Sequence, residues 1–288
     1  MKALIFGAGG QVGRALAETS PQGAELILLT HSQCDVTDRH AVRQTVARLG
    51  PDLVINAAAF TAVDRAEAEI DAATLLNAEA PGWAAGAAKA AGARFVHIST
   101  DFVFDGLKGT AYRPDDPARP RSVYGRTKRD GEINVQDTNP DALIVRTAWV
   151  YAAHGSNFMR TMLRLIAERD RLTIVSDQVG TPTFARSLAD AIWTLAASAA
   201  SGLHHFTDAG VASWYDFAVA IQEEAVELGL VDRPAEIVPI TTADYPTPAP
   251  RPAFSVLDKS ATWAAMGRPA PHWRANLRNC LKDLREHV

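Results

Sequence analysis

A tyrosine and a lysine lie four residues apart in the run Tyr124-Gly-Arg-Thr-Lys128. On a helix, this spacing puts both side chains on the same face. A tyrosine hydroxyl has a reference pKa of ~10 and is a poor acid–base group at neutral pH, but a neighbouring cation favours the phenolate and lowers that pKa. The pair therefore predicts a proton-transfer site in which Lys128 tunes Tyr124. This spacing is also a common accident, so the prediction needs support from other residues.

A second polar run, His97-Ile-Ser-Thr-Asp101, follows the apolar residues Phe95 and Val96. In an open α/β sheet, the residues at the carboxyl ends of the strands line the ligand crevice. We therefore expect the Thr100 hydroxyl to bind a substrate carbonyl oxygen and to stabilise the negative charge that develops there. For the Ser99 hydroxyl we favour a structural hydrogen bond to the backbone.

Three glycines, Gly7, Gly10 and Gly13, come directly after the first apolar run of the chain. Glycine permits left-handed backbone angles and lets the main chain approach a pyrophosphate closely. The phosphates would rest on the N–H groups and the positive end of the helix that follows. A glycine triplet alone is weak evidence, but this one lies between a predicted strand and a predicted helix. We expect it to bind a dinucleotide, and the alternative is a structural turn.

The end of the second apolar run bears on the choice of dinucleotide. After Leu29 the chain continues Thr30-His-Ser32, which are neutral donors and not the carboxylate that commonly holds the ribose hydroxyls of NAD. A carboxylate would repel the 2′-phosphate of NADP, and its absence removes that repulsion. The sequence therefore favours NADP(H), with NAD(H) possible. Asp35 comes later and could meet the adenine, whereas Asp38 is equally suited to cap the next helix.

Short apolar runs alternate with helix-like segments in the first half of the chain. Near-continuous apolar strands are typical of a parallel sheet that is covered on both faces. This alternation predicts an α/β fold with a doubly wound parallel sheet, the NAD(P)-binding Rossmann fold. The predicted strands are 3–6, 26–29, 53–55, 95–98 and 143–145, and the predicted helices are 11–20, 38–49, 64–91 and 122–137, the third of them broken near Pro81.

The second half has a different pattern, with helical stretches near 156–169, 183–200 and 213–228 and strand candidates at 172–175 and 203–206. We expect residues 1–150 to form the dinucleotide-binding domain. Residues 151–288 are expected to form mainly a smaller C-terminal substrate-binding domain, with the segment 172–205 returning to the Rossmann sheet. Residues 245–252 must be extended, because proline at every second position excludes a helix.

Composition excludes several classes of protein. The chain has 288 residues and a net charge of -4, with scattered Lys and Arg, so we expect no nucleic-acid partner. No apolar stretch reaches the ~20 residues that span a bilayer, so we expect no membrane partner. Cys34 and Cys280 are far apart and lack metal-ligand spacing, which indicates reduced thiols, no metal site and a cytoplasmic protein.

Nine stretches, spread nearly end to end, follow one known pattern. They are residues 10–13, 35–38, 55–64, 99–106, 124–128, 146–151, 157–163, 177–183 and 245–252. This pattern resembles the extended short-chain dehydrogenase/reductase family and, within it, the dTDP-4-dehydrorhamnose reductases. The resemblance implies that the chain reduces the C4 keto group of a dTDP-linked deoxysugar with NAD(P)H, for cell-surface polysaccharide.

The resemblance also implies roles for individual residues. Tyr124 would be the proton donor, Lys128 its modulator and ribose anchor, and Thr100 the hydroxyl that polarises the carbonyl. Trp149 would touch the sugar nucleotide, although a tryptophan often serves only packing. The expected cofactor contacts are Gly7, Gly10, Gln11, Val12, Gly13, Thr30, Asp35, Val36, Ala59, Phe60, Thr61, Tyr124 and Lys128. The expected substrate contacts are Thr100, Asp101, Tyr124, Trp149 and Asn157.

The sequence departs from the family pattern at a few positions. Phe102 stands where a tyrosine is usual, and Ala148 stands where a serine is common. Some relatives form dimers through Mg²⁺ held by an acidic residue just after the glycine turn, but Arg14 and Ala15 offer no such group, so a monomer is favoured over a homodimer.

Two alternatives remain at this point. One is a sugar-nucleotide epimerase or dehydratase of the same fold, which would keep its cofactor bound through purification. The other is a non-catalytic regulatory subunit resembling the β subunit of methionine adenosyltransferase. An intact set of Thr100, Tyr124 and Lys128 counts against the second alternative.

Overall fold

The structure, a computed structural model, describes residues 1–198 and 200–286. Its strands are β1 Lys2–Phe6, β2 Glu25–Leu29, β3 Leu53–Asn56, β4 Arg94–Thr100, β5 Leu143–Thr147, β6 Val150–Tyr151, β7 Arg171–Val175, β8 Val179–Gly180, β9 Thr183–Phe184, β10 Gly202–His205, β11 Ala212–Ser213 and β12 Glu236–Ile240. Its helices are α1 Gln11–Glu18, α2 Arg39–Leu49, α3 Val63–Ala66, α4 Ile70–Thr74, α5 Ala80–Ala90, α6 Val123–Thr138, α7 Phe158–Glu168, α8 Ala185–Ala197, α9 Trp214–Glu227, α10 Ser260–Met266 and α11 Trp273–Glu286. A π turn spans Leu75–Glu79, and 3₁₀ turns span Asp101–Val103 and Thr242–Asp244.

A six-stranded parallel sheet forms the centre of the molecule, in the order β10-β5-β4-β3-β1-β2. The five strands predicted from apolar runs all lie in it, so the predicted doubly wound parallel sheet is confirmed. The sheet brings the carboxyl ends of β1, β3, β4 and β5 to one edge. The glycine turn after β1 and the polar run that ends β4 therefore face the same crevice.

Helices cover both faces of this sheet, as the buried strands require. Alternate strand residues point to opposite faces. On one face Ile5 packs with Leu16 of α1 and Ile192 of α8. On the other face Leu4 and Phe6 pack with residues of α2, α5 and α6, among them Val42, Val46, Ala84, Ala88 and Val135. The sheet edge is thus held rigidly by two apolar layers.

The helix break predicted near Pro81 lies elsewhere. The chain leaves helix between Ala66 and Ile70, and α5 begins at Ala80 with Pro81 in its first turn. A proline lacks the N–H that a helix interior needs, but it is tolerated in a first turn because that N–H has no intrahelical partner. The π turn directly before α5 carries Asn77, a residue of the candidate site.

The predicted helices of the second half correspond to α7, α8 and α9, and their predicted ends lie within three residues of the observed ends. Residue 199 of the predicted stretch 183–200 lies outside the described residues. β10 joins the central sheet beside β5, whereas β7 pairs with β12. A separate apolar cluster holds α7, α9 and α11 together. Among the residues that the structure describes, no helix combines the length and apolarity needed to cross a membrane.

Residues 245–252 form no helix or strand, in line with their prolines. An ion pair ties this segment to α3: Arg251 donates from Nη1 and Nη2 to the two carboxylate oxygens of Asp64, at 3.0 and 2.9 Å. The backbone N–H of Ala249 donates to the same carboxylate at 3.2 Å. The C-terminal half is thereby fixed beside the chain that follows β3.

Candidate functional site

The glycine turn after β1 is shaped by close contact with the backbone. Gly7 has φ +77°, and a Cβ there would lie 2.6 Å from the amide nitrogen of Ala58. A Cβ at Gly13 would lie 2.4 Å from the carbonyl oxygen of Gly7. Gly10 caps α1 without a side-chain hydrogen bond, so the first N–H groups of that helix have no side-chain acceptor. These features fit the phosphates of a dinucleotide.

The residues after β2 lie beside this turn, but their side chains bond to one another. Thr30 Oγ1 donates to Gln33 Oε1 at 2.9 Å. Asp35 accepts from the Thr37 amide at 2.9 Å and from the Thr37 hydroxyl at 2.7 Å. Burial raises the pKa of Asp35, but the Thr37 bonds outweigh burial and hold the pKa below its usual range. Val36 is buried, and no acidic side chain occupies position 30.

Asp38 caps α2, as its position before the predicted helix suggested. Its carboxylate accepts from the amides of His40 and Ala41 at 2.9 and 3.0 Å. An N-cap carboxylate of this kind satisfies two donors that the helix itself leaves unpaired. Asp38 is therefore a structural residue.

The segment after β3 carries Ala59, Phe60 and Thr61, and Asn77 holds it in place. The amide of Phe60 donates to Asn77 Oδ1 at 2.8 Å, and Asn77 Nδ2 donates to the Phe60 carbonyl at 3.0 Å. Asn77 also donates to Thr127 Oγ1 at 3.3 Å, which links the segment to α6. Asn77 was not predicted from the sequence, because its partners are 17 and 50 residues away. The available signal was that Asn77 is the one amide side chain in the alanine-rich stretch 64–91.

Lys128 is fully enclosed below the sheet edge. Its ammonium donates to the carbonyl of Ile98 at 2.7 Å, and it lies 3.4 Å from Nε2 of His97. Burial lowers the pKa of Lys128 to about 8, although the nearby Glu132 carboxylate raises it. Burial and the Lys128 charge hold the pKa of His97 well below its usual value, so His97 is neutral. His97 also contacts Asn56 Nδ2 through Nδ1, at 3.3 Å.

The expected lowering of the Tyr124 pKa by Lys128 is wrong for this structure. Burial raises the pKa of Tyr124 to about 12, the Thr100 hydroxyl acts in the opposite direction, and the Asp101 carboxylate adds to the rise. Lys128 has no part in this shift because its ammonium is turned toward the backbone of β4. Tyr124 is therefore a neutral phenol at physiological pH, which is the protonated form that a proton donor needs.

Thr100 and Asp101 lie where β4 ends and a 3₁₀ turn begins. Thr100 Oγ1 donates to Asp101 Oδ1 at 3.0 Å and accepts from the amide of Phe102 at 3.2 Å. The Tyr124 ring meets the Phe102 ring edge-on, with centroids 5.5 Å apart. The structure thus brings together Thr100 and Tyr124, which were predicted to handle the carbonyl and the proton, and Asp101, which was predicted to contact the substrate.

A buried ionic network supports this group from below. The Glu132 carboxylate accepts from Arg146 Nε and Nη2, both at 2.7 Å, and from Arg129 Nη1 at 2.9 Å. The Ser99 hydroxyl donates to the same carboxylate at 2.6 Å, so its expected hydrogen bond to the backbone is wrong. Because Glu132 lies one turn after Lys128 on α6, the network fixes both the helix and the end of β4.

Trp149 has an unusual backbone. Its φ is +48°, which is uncommon for a residue other than glycine. The Trp149 ring stacks on Trp214 with centroids 3.5 Å apart and an interplanar angle of 8°. A Cβ at Gly180 would lie 2.8 Å from the Trp149 ring, so that position must stay small. Residues held in sparsely populated backbone conformations cluster at ligand sites.

Asn157, a predicted substrate contact, forms hydrogen bonds within the chain. It caps α7 by accepting from the Arg160 amide at 3.0 Å. Its Nδ2 donates to Gln11 Oε1 at 2.7 Å and to the Ala152 carbonyl at 2.9 Å. Asn157 therefore links the second half of the chain to the first residue of α1, beside the glycine turn.

The remaining predictions about the site concern metals and thiols. Within residues 1–198 and 200–286, His, Cys, Asp and Glu side chains form no group of three or more that could hold a metal ion. Cys34 and Cys280 are buried free thiols.

Ala148, the second departure from the family pattern, is buried next to Trp149 in the chain.

Comparisons with known proteins agree with this geometry. The family described as RmlD substrate binding domain matches residues 1–286. A dTDP-4-dehydrorhamnose reductase of Burkholderia thailandensis is 44% identical over 295 residues, covering 99% of each chain. The spore coat polysaccharide biosynthesis protein SpsK of Bacillus subtilis is 43% identical over 283 residues, covering 98% of this chain and 97% of the relative.

A solved structure extends the likeness to three dimensions. The dTDP-4-dehydrorhamnose reductase of Bacillus anthracis, in complex with NADP, is 32% identical and superposes with a TM-score of 0.92. The superposition covers 98% of this chain and 99% of that one. Fold, motif order and full-length similarity all agree. The chain belongs to the RmlD substrate binding domain family, whose close relatives here are dTDP-4-dehydrorhamnose reductases.

Proposed function

We propose that this chain is an oxidoreductase that reduces the C4 keto group of dTDP-4-dehydro-L-rhamnose to give dTDP-L-rhamnose, with NADPH as the preferred cofactor. The observation that carries the proposal is the meeting of Thr100, Asp101 and Tyr124 at the end of β4, on the same sheet edge as the glycine turn. The names of relatives at 39–44% identity support the choice of sugar and of dTDP.

Tyr124 is the proton donor in this proposal. Because its pKa is raised to about 12, it holds its proton until negative charge develops on the carbonyl oxygen. NADPH, when bound, supplies the hydride. The Thr100 hydroxyl is placed to stabilise the developing charge, and the enclosed Lys128 supplies a positive charge beneath the site. No metal is required, since hydroxyls take the place of a Lewis acid.

The cofactor would lie across the glycine turn. Gly7, Gly10 and Gly13 let the turn pack closely on the backbone, and the first N–H groups of α1, from Gln11, Val12 and Gly13, would face its phosphates. Thr30 lies beside the turn without a carboxylate, which supports NADP(H) over NAD(H). The B. anthracis relative in complex with NADP supports the same choice. Asp35 and Val36 would flank the adenine, and the segment 59–61 would flank the nicotinamide half.

The sugar nucleotide would lie against Trp149, whose ring is locked by Trp214 and Gly180. We also propose that the product serves polysaccharide synthesis, which the name of the B. subtilis relative supports. Two buried free thiols support a reducing cytoplasm. Position 15 is alanine, so no acidic group follows the turn to share a Mg²⁺ between subunits, and a monomer is proposed.

The test is an assay of the purified chain with NADPH and a panel of dTDP- and GDP-linked 4-keto sugars. We expect NADPH oxidation with the dTDP-linked 6-deoxy substrate and a product identified as dTDP-L-rhamnose. A chain that is purified with tightly bound cofactor and interconverts sugars without net NADPH oxidation would instead be an epimerase. A chain that is inactive alone but co-purifies with a partner enzyme would be a regulatory subunit.

A further inference from the structure

The side-chain amide of Asn157 has an orientation that the surrounding backbone fixes. Its Oδ1 accepts from the Arg160 amide at 3.0 Å, and a backbone N–H can only donate. Its Nδ2 donates to the carbonyl oxygens of Ala152 and His154 at 2.9 and 3.3 Å, and carbonyl oxygens can only accept. Exchanging the oxygen and the nitrogen would break all three bonds. The donor end of Asn157 is therefore the end that meets Gln11.

This orientation in turn determines that of the Gln11 amide. Asn157 Nδ2 lies 2.7 Å from Gln11 Oε1, the shortest of the three bonds that this nitrogen donates. Because Asn157 presents a donor, Gln11 must present its oxygen. Gly155, with φ +74°, packs against the same side chain, since a Cβ there would lie 3.1 Å from Gln11 Cγ. The oxygen of the Gln11 amide is thus held, and its nitrogen is the end left over.

The Gln11 Nε2 group is a donor without an acceptor in the chain. Within residues 1–198 and 200–286, the Gln11 amide forms one hydrogen bond, the one that its oxygen accepts from Asn157. Gln11 is half-buried and is the first residue of α1, directly after Gly10. No side chain caps this helix, and its first turn carries no acidic residue. The unused amide hydrogens therefore belong to the end of α1 whose backbone N–H groups also lack intrahelical partners.

We propose that the Gln11 side chain donates a hydrogen bond to the pyrophosphate of the cofactor and that Asn157 is the positioning residue that selects this donor end, an inference that rests on the proposed binding of NADP(H). A glutamine amide that rotates freely presents its oxygen as readily as its nitrogen, and the oxygen repels a phosphate. With Asn157 in place the donor is oriented before the cofactor binds, which reduces the entropy that binding costs. Asn157 itself touches neither ligand, because its two Nδ2 hydrogens already have three acceptors.

The same bond joins the two halves of the chain. Asn157 is the N-cap of α7, which packs with α9 and α11 in the apolar cluster of the second half. Gln11 begins α1, which packs on the central sheet through Leu16. The two residues are 146 positions apart in the sequence. The phosphate donor is therefore oriented only when the second half of the chain lies against the glycine turn.

The experiment is a double-mutant cycle on the Kd of NADPH, measured by titration calorimetry on the purified chain. Gln11→Met removes both ends of the amide at similar length, and Asn157 keeps its two carbonyl acceptors. Asn157→Ser keeps an oxygen that caps α7 but is too short to reach Gln11. We expect Gln11→Met to raise the Kd by about tenfold or more, because the lost bond is to a charged group. Asn157→Ser should raise the Kd by about threefold or more in the wild-type background and by less than about twofold in the Gln11→Met background.

Three results would overturn the proposal. Equal losses from Asn157→Ser in both backgrounds would show that Asn157 acts on the fold and not through Gln11. A loss confined to NADPH would place the contact at the 2′-phosphate, whereas a pyrophosphate contact predicts the same loss for NADH. A weakened Kd for dTDP with an unchanged Kd for NADPH in Asn157→Ser would make Asn157 a contact of the sugar nucleotide.

A second variant covers the case in which Asn157→Ser does not fold. Asn157→Asp has nearly the same shape and still caps α7, but its carboxylate must accept from Gln11 Nε2 and so turns the Gln11 amide around. Its added charge acts in both backgrounds and cancels in the cycle, so the loss should again be larger when Gln11 is present. Equal losses would overturn the proposal here too. A wild type that binds NADPH but reduces no keto sugar refutes the proposed function, and the cycle still decides the roles of Gln11 and Asn157.

Discussion

The most informative substitution for the supporting network is Glu132→Gln. The Glu132 carboxylate is fully buried and accepts four hydrogen bonds, two of them from Arg146, whose residue exposure is 1%. Glutamine keeps the shape of the side chain but removes its charge. The substitution therefore leaves the Arg146 guanidinium buried without a counter-ion, while the surrounding packing stays almost unchanged.

The expected cost follows from that unpaired charge. Breaking a buried ion pair by removing one partner costs ~3–5 kcal/mol, and we expect the lower end because the glutamine oxygen still accepts one bond. At ~2–4 °C per kcal/mol for a chain of this kind, the Tm should fall by about 6–12 °C. Glu168→Gln is the matched control, since the Arg164–Glu168 pair has side-chain exposures of 61% and 51% and should contribute ~0–1 kcal/mol.

The loss should also depend on pH. Burial raises the pKa of Glu132, but the bonds from Arg146, Ser99 and Arg129 outweigh burial and lower the pKa overall. A carboxyl with a lowered pKa stabilises the folded state above its unfolded pKa of ~4.3, and that stabilisation is lost as pH falls through the folded pKa. Urea unfolding of both variants at pH 7 and at lower pH measures this. A Glu132→Gln protein within about 1 kcal/mol of wild type at pH 7 would refute this role for the buried ion pair.

Three further predictions concern the chemistry. Tyr124→Phe should keep its fold and NADPH affinity but lose ~10²–10⁴-fold in kcat, because the transferable proton is gone. A variant that keeps more than half of the wild-type kcat would show that Tyr124 is not the proton donor. The wild type should use NADPH at least as well as NADH. Thr30→Asp should repel the 2′-phosphate and thereby shift the ratio of kcat/KM values toward NADH by roughly tenfold or more. A wild type that cannot use NADPH would contradict this prediction. Dialysis against EDTA should leave activity unchanged, and rescue of lost activity by Mg²⁺ would contradict a metal-independent enzyme. A sizing column should show a monomer, and a stable dimer at micromolar protein would contradict that oligomeric state.

The sequence predicted the central sheet well, because short continuous apolar runs such as Leu53–Asn56 are typical of strands that are buried on both faces. It also predicted the positions of Thr100 and of the Tyr124–Lys128 pair, since a strand end and the four-residue helix spacing are local signals, whereas Asp101 was expected only from the family resemblance. It misplaced the helix break, which lies between Ala66 and Ile70, because Pro81 is accommodated in the first turn of α5.

Other features of the site depend on contacts between distant parts of the chain. Asn77 is defined by partners at positions 60 and 127, and Glu132 by a partner at 146. The Tyr124 pKa was predicted in the wrong direction because spacing alone cannot show that the Lys128 ammonium points to the Ile98 carbonyl. Individual contacts to cofactor and sugar remain predictions.

The central claim is that hydride passes from the nicotinamide to C4 of the sugar, and deuterium labelling tests it most directly. NADPH labelled with deuterium at one face of the nicotinamide C4, and then at the other, is supplied with dTDP-4-dehydro-L-rhamnose, and the product is examined by NMR. One of the two labels should appear at C4 of dTDP-L-rhamnose, in both the wild type and, more slowly, Tyr124→Phe. A product whose C4 hydrogen comes from solvent, or a label found at another sugar carbon, would contradict the account.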